Sequence, residues 1–158
     1  MIEVTTPALA SHPFLRGMPP GQLDALAAAA SDVTFPAGHR IFEEGGFAGK
    51  FWLIQSGHVV LDVNAPGVGR VIVDTIGIGD LLGCSWLFPP YQWAFGAMCV
   101  TPVRAFEFDA AAIRLRCAAD PDFGAEFRER LLQVLARRLQ STRARLIAKS
   151  MSGTAGGA

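Results

Sequence analysis

The sequence predicts a mainly β domain, closed as a sandwich or barrel of the jelly-roll kind and flanked by helices at both ends. Three observations predict it. Short segments rich in β-branched and aromatic residues, broken by glycine, follow one another from Val33 to Phe108. Helical periodicity occupies the chain before and after them. At 158 residues, with 51% hydrophobic and 18% charged side chains, the chain has the material for one sizeable core.

Taken in order, residues 1–10 are expected as an N-terminal tail. Ser11 to Met18 suggests a short capped turn around His12-Pro13-Phe14-Leu15. Pro20 to Ala30 reads as a helix, with Pro20 in its first turn and Leu23, Leu26 and Ala30 on one face. Strands are expected near 33–35, 39–43, 50–56, 58–64, 70–76, 92–100 and 103–108, with turns at Pro36-Ala37-Gly38 and Pro66-Gly67-Val68-Gly69. Asp109 caps a helix to about Ala118, and Asp120-Pro121 opens another to about Lys149. The domain thus covers 11–150, and 151–158 is expected as a flexible tail.

In the last helix Phe127, Leu131, Leu135, Leu139, Thr142 and Leu146 form a narrow seam of roughly 3.6 period. Roughly 30 residues would span about 45 Å at 1.5 Å per residue, more than a roll of this size covers. The seam either packs on the domain's own roll or pairs with a second copy, and the length of the helix favours a homodimer through it. Arg137, Arg138, Arg143 and Arg145 read as a solvated face from which one or two lean toward the roll.

Formal charge is zero, 14 Lys+Arg against 14 Asp+Glu, which disfavours nucleic acid and anionic membranes as partners. No charged-then-apolar leader precedes the domain, and no window approaches a membrane span. Cys84, Cys99 and Cys117 have no metal-like spacing and fit a reduced, cytoplasmic chain. His12, His39 and His58 show no ligand pairing and read as surface or turn residues. No nucleophile motif marks an enzyme.

The motifs His12-Pro13-Phe14-Leu15, Phe35-Pro36-Ala37-Gly38, Ile41-Phe42, Glu44-Gly45, Phe51-Trp52-Leu53-Ile54, Ser56-Gly57, Ile78-Gly79-Asp80 and Leu82-Gly83 occur in one order. As a set they resemble the cyclic-nucleotide-binding domain of catabolite-activator-type regulators, cyclic-nucleotide-dependent kinases and gated channels, over about residues 12–149. Ala136-Arg137-Arg138-Leu139-Gln140 is similar to the dimer helix of the bacterial regulators. The resemblance implies a double-stranded β-helix (jelly roll) with a phosphate-binding cassette between Gly79 and Phe95. A glycine-opened turn at Gly83 into a short helix suits an anion through free N–H groups. The positions matching the family's pocket are Val73, Leu82, Gly83, Cys84, Ser85, Trp93 and Ala94, with Thr142 and Arg143 on the last helix.

Two polar residues depart from the pattern. Cys84 stands where the family places a glutamate for the ribose hydroxyl, and Trp93, give or take one, where it places an arginine for the phosphate. No Lys or Arg lies between Arg70 and Arg104. Each charge-assisted hydrogen bond is worth about 1.5–3 kcal/mol. Losing both costs roughly two to four powers of ten in affinity. Arg137 or Arg143 is a substitute available from the last helix. The aromatics Trp86, Phe88, Tyr91, Trp93 and Phe95 either fill the pocket and bury each other or stack around an apolar ligand. Cys84 reads as a small buried hydrophobe, with a redox thiol as the other option.

The expectation is therefore a stand-alone sensor module that binds cAMP or cGMP weakly or not at all, with another small ligand in their place. The alternative is a ligand-free dimeric scaffold with an aromatic-filled pocket. Eight residues follow Ser150, so the DNA-reading domain of the bacterial regulators is not expected to be present, nor direct DNA binding.

Overall fold

Two antiparallel sheets face each other in the computed structural model of the chain, which describes residues 2–155. One carries β1 (Ile2–Glu3), β2 (Ala30–Phe35), β9 (Val103–Asp109), β4 (Lys50–Ser56) and β7 (Leu81–Leu82), in that spatial order. The other orders β3 (Arg40–Phe42), β8 (Gly96–Cys99), β5 (Val59–Ala65) and β6 (Gly69–Ile76). This is the expected mainly β roll with helices at its ends. Leu53, Val59, Leu61, Cys99, Ala105 and Phe106 are all buried and belong to one hydrophobic core.

The strands follow from alternation. In β9, Val103, Ala105, Phe106 and Phe108 are buried while Arg104 and Asp109 face water. Central β4 is apolar from Phe51 to Ile54 because both its faces are covered. Gly57 allows the tight join between β4 and β5. It holds φ +92°, and a Cβ there would overlap the Pro102 carbonyl oxygen.

The helices precede and follow the strands in the chain: α1 (Thr6–Ala10), a 3-10 turn at Pro13–Leu15, α2 (Pro20–Ala29), α3 (Ala110–Ala119) and α4 (Pro121–Ala155). Asp109 caps α3 by accepting from the Ala111 and Ala112 N–H groups. Asp120 accepts from Phe123 N–H at the start of α4. Phe123 and Phe127 of α4 stack at 5.7 Å, and Phe127 meets Phe14, Phe51 and Trp86 at 5.6–6.0 Å. That aromatic cluster seats the helix on the roll.

Several boundaries differ from expectation. The N-terminal stretch expected as a tail is structured from residue 2. Thr5 caps α1, Pro7 sits in its first turn, and Leu9 is fully buried. Thr6 also donates to Asp24 at 2.6 Å, tying α1 to α2. The residue closing the next turn is His12, not Ser11: its Nδ1 accepts from Phe14 N–H at 3.2 Å. Its other nitrogen lies 2.9 Å from the Ile54 carbonyl, so His12 is buried and not a surface residue. The strand expected over 92–100 is shorter, β8 alone. Before it, Tyr91 to Trp93 pair with the 45–48 loop, with Gly45 N–H donating to Trp93 O and Ala48 N–H to Tyr91 O. Strand β7 is an addition. Helix α4 runs to Ala155, six residues beyond Lys149, so the expected C-terminal tail starts as helix; 156–158 lie outside the described residues.

Candidate functional site

Gly83 holds φ +99° and turns the chain from β7 into a 3-10 turn, Ser85–Leu87. The expected short helix is thus a single turn, whose dipole is small. The turn is pinned from inside. Trp86 is fully buried, its indole N–H donates to the Gly83 carbonyl at 2.9 Å, and its ring stacks on Phe51 at 4.8 Å. From outside, Arg114 on α3 donates to the Trp86 carbonyl at 2.7 Å and lies 4.5 Å over the Tyr91 ring.

The two ends of the cassette then meet. Ala94 N–H donates to Ser85 Oγ at 3.4 Å. The Trp93 indole lies against Gly83, where a Cβ would stand 3.0 Å from two ring carbons. Trp93 stacks on Phe42 at 3.8 Å between centroids and is itself buried. Tryptophan therefore occupies the space in front of the glycine turn.

It does not fill that space. A cavity of about 300 Å³ remains between the cassette, β5, β6 and α4. Of the residues expected to line a pocket, Val73, Leu82, Gly83, Cys84, Ser85, Trp93, Ala94 and Thr142 all border it. Arg143 does not; it is exposed on α4 away from the cavity. Arg137 borders a neighbouring depression beside Asp74, Asp80 and Ser141. The cassette aromatics divide: Trp86 and Trp93 are core, Tyr91 is half-buried under Arg114, and Phe88 and Phe95 face solvent.

The cation at the cavity is Arg138. Its guanidinium donates to the Leu81 carbonyl, and its other terminal nitrogen lies 4.0 Å from Cys84 Sγ. Phe42, Leu61, Asp74, Leu135, Leu139 and, at the solvent side, Phe95 complete the walls. Arg138 was legible as a cavity residue: Leu135, Arg138, Leu139 and Thr142 recur at three, four and seven, one helix face. Thr142 was already on that face. Arg145 also leans on the roll, donating to the Val73 carbonyl at 2.9 Å and pairing with Asp74 at 3.3 Å.

Burial pushes the Cys84 thiol up, and the nearby Arg138 charge pulls it only partly back. A thiol raised in this way stays protonated at neutral pH, which weighs against the redox option.

This pocket, between a β-roll and a helix that leaves it, has the size and enclosure of a small-ligand site. A family model for the cyclic nucleotide-binding domain matches residues 32–120. The chain belongs to that family. It is 34% identical over 134 residues to a CRP-like cAMP-activated global transcriptional regulator of Mycobacterium tuberculosis, covering 85% of this chain and 58% of that protein. The chain therefore spans little more than half the length of this curated relative. The expectation of no direct DNA binding finds no support there, since the relative is by name a transcriptional regulator.

Among solved structures, a Geobacter metallireducens protein described as a candidate cyclic nucleotide-binding protein superposes with a TM-score of 0.78 at 24% identity, over 88% of this chain and 99% of its own. The Thermus thermophilus catabolite activator protein gives 0.68 at 23%, over 87% and 63%. These likenesses carry the fold. Among the described residues, no helix is long and apolar enough to cross a membrane.

Proposed function

We propose that the chain is a ligand-sensing regulatory module of the cyclic-nucleotide-binding family whose affinity for cAMP and cGMP is weak or lost. One observation carries this reading. The cavity is open, yet its cassette presents Cys84 and Trp93 where a carboxylate and a cation are needed. The cation at the cavity comes from α4 instead. A thiol is a poor acceptor for a ribose hydroxyl. An indole against Gly83 also crowds an anion away from the turn.

Calorimetric titration with cAMP and cGMP to millimolar concentration tests this. Submillimolar or weaker binding agrees with it. Micromolar binding would show that Arg138 and the backbone replace the missing pair, and Arg138→Ala would then abolish it.

The module is a homodimer through α4 in this reading. Leu132, Leu135, Leu139, Thr142 and Leu146 are spaced three, four, three and four, a heptad seam, and all are exposed on the single chain. The scaffold alternative shares this seam. The open cavity favours the sensor over the scaffold, because a plugged pocket was the scaffold's requirement.

A further inference from the structure

The cavity is built for something less polar than a nucleotide. Leu61, Leu82, Trp93, Leu135 and Leu139 give it hydrocarbon and aromatic walls. Its charged groups are unequal. Asp74 is already matched: it pairs with Arg145 at 3.3 Å and accepts from Thr75 N–H at 2.8 Å. Arg138 is not. Its partners at the cavity, the Leu81 carbonyl and the Cys84 thiol, are neutral, and its side chain is only half-exposed. A guanidinium drawn partly out of water among neutral acceptors gains most from a carboxylate, which its fork meets with two parallel bonds. At about 300 Å³ the cavity also lies at the small end of ligand pockets, which run from about 300 to 1,000 Å³.

We propose that this cavity binds a small apolar monoanion, an aromatic or aliphatic carboxylate, with the carboxylate on Arg138 and the apolar body against Trp93, Leu61 and Leu135. The proposal rests on the reading of the cavity as a sensor site. It deepens it by naming the ligand class and the anchoring residue. One cation suits one negative charge. The walls provide little for the hydroxyls of a sugar, whereas Trp93 and four leucines suit a ring or a short alkyl chain. Because Arg138 and Leu135 ride on α4 while Trp93 and Leu82 belong to the roll, such a ligand ties the two together. It also draws Arg138 away from the Leu81 carbonyl, so occupancy is felt by the helix that carries the exposed seam.

The test is titration of the full chain with phenylacetate and octanoate, with phenylacetamide and octanamide as uncharged counterparts and cAMP alongside. Calorimetry and tryptophan fluorescence are the readouts, since Trp93 lines the site. The acids are expected to bind about ten- to a hundredfold more tightly than the amides, the worth of a charge-assisted hydrogen bond. Arg138→Gln is expected to erase that ratio, Arg138→Lys to keep part of it, and Arg137→Gln to leave it intact. Amides binding as well as acids, or Arg138→Gln preserving the ratio, would overturn the ligand class and leave the sensor reading standing. So would binding of cAMP without the acids. No binding by any of the five compounds would overturn this inference and leave the sensor reading, with which lost cAMP binding agrees, without this ligand class. If Arg138→Gln fails to fold, the acid-to-amide ratio of the unaltered protein decides alone.

Discussion

The two halves of α4 share one sequence pattern and end in different environments. From Phe123 to Val134 the apolar residues Phe123, Phe127, Leu131 and Val134 are buried, Phe127 to 1% exposure. From Leu135 onward the same spacing continues, but Leu139 is 71% exposed and Leu146 and Ile147 face solvent. The arginines divide in the same way. Arg130, in the first half, donates to the carbonyls of Phe14 and Arg16 at 2.8 and 2.9 Å and pairs with Glu126 at 2.7 Å. Arg138, in the second, reaches only neutral groups at the cavity. The first half is part of the domain's core. The second is held at the cavity rim by Arg138 and at Asp74 by Arg145, and its apolar side is available to a partner. A helix arranged in this way can report on a pocket at its midpoint.

Four experiments break or sharpen that comparison. Phe127→Ala removes the ring that joins α4 to Phe14, Phe51 and Trp86, and should cost about 3–5 kcal/mol in urea unfolding. A loss under 1 kcal/mol would mean the first half is no more anchored than the second. Arg130→Met should cost about 2 kcal/mol by the same measurement, because two carbonyl acceptors lose a charged donor. Equal effects from Arg130→Met and Arg138→Met would erase the contrast between the two arginines.

Leu139→Glu with Leu146→Glu should leave the stability of the single chain within about 0.5 kcal/mol, as exposed substitutions do. In light scattering the parent should be a dimer, as proposed, and the doubly substituted chain a monomer. A parent that is monomeric at every concentration would remove the role given to the seam.

The smallest effect concerns His12, whose turn holds Phe14 against Phe127. Its Nδ1 accepts from Phe14 N–H, which leaves the proton on Nε2, donated to the Ile54 carbonyl. Burial holds its pKa below the ordinary value of 6.5. The unfolded chain then binds a proton more readily than the folded one. The stability His12 contributes is thus full above about pH 6.5 and is lost as pH falls toward the folded-state pKa. The urea midpoint should drop between pH 7.5 and 5.5, and His12→Ala should flatten that drop. An unchanged slope in the variant would place the proton uptake elsewhere.

Much of the fold was legible before any coordinate. Alternation in β9, the apolar run of β4, Asp109 and Asp120 as caps and Gly83 as a turn residue each act over a few residues, so local pattern reveals them. The pocket residues were legible through an ordered set of motifs, and eight of the nine positions named line the cavity. The N-terminal helix was missed although Thr5 and Pro7 signal it, because a five-residue element survives only through Leu9 packing and the Thr6–Asp24 bond. The local sequence marks His12 as a turn residue, which it is, but not as a buried one, because its burial depends on Ile54, 42 residues away.

The chain's own pattern thus settled the β-roll, the family and the absence of a cation from the cassette, since these depend on residue order and spacing. Three further things rest on contacts between segments far apart in sequence. They are where α4 leaves the roll, that Trp93 lies on Gly83 without closing the cavity, and that Arg138, not Arg137 or Arg143, reaches that cavity. A helix turns 100° per residue, so neighbouring arginines differ in direction by more than the width of the pocket. Which one faces inward is decided by how α4 rolls against Phe51, Trp86 and Phe14, and that packing exists only in the folded chain.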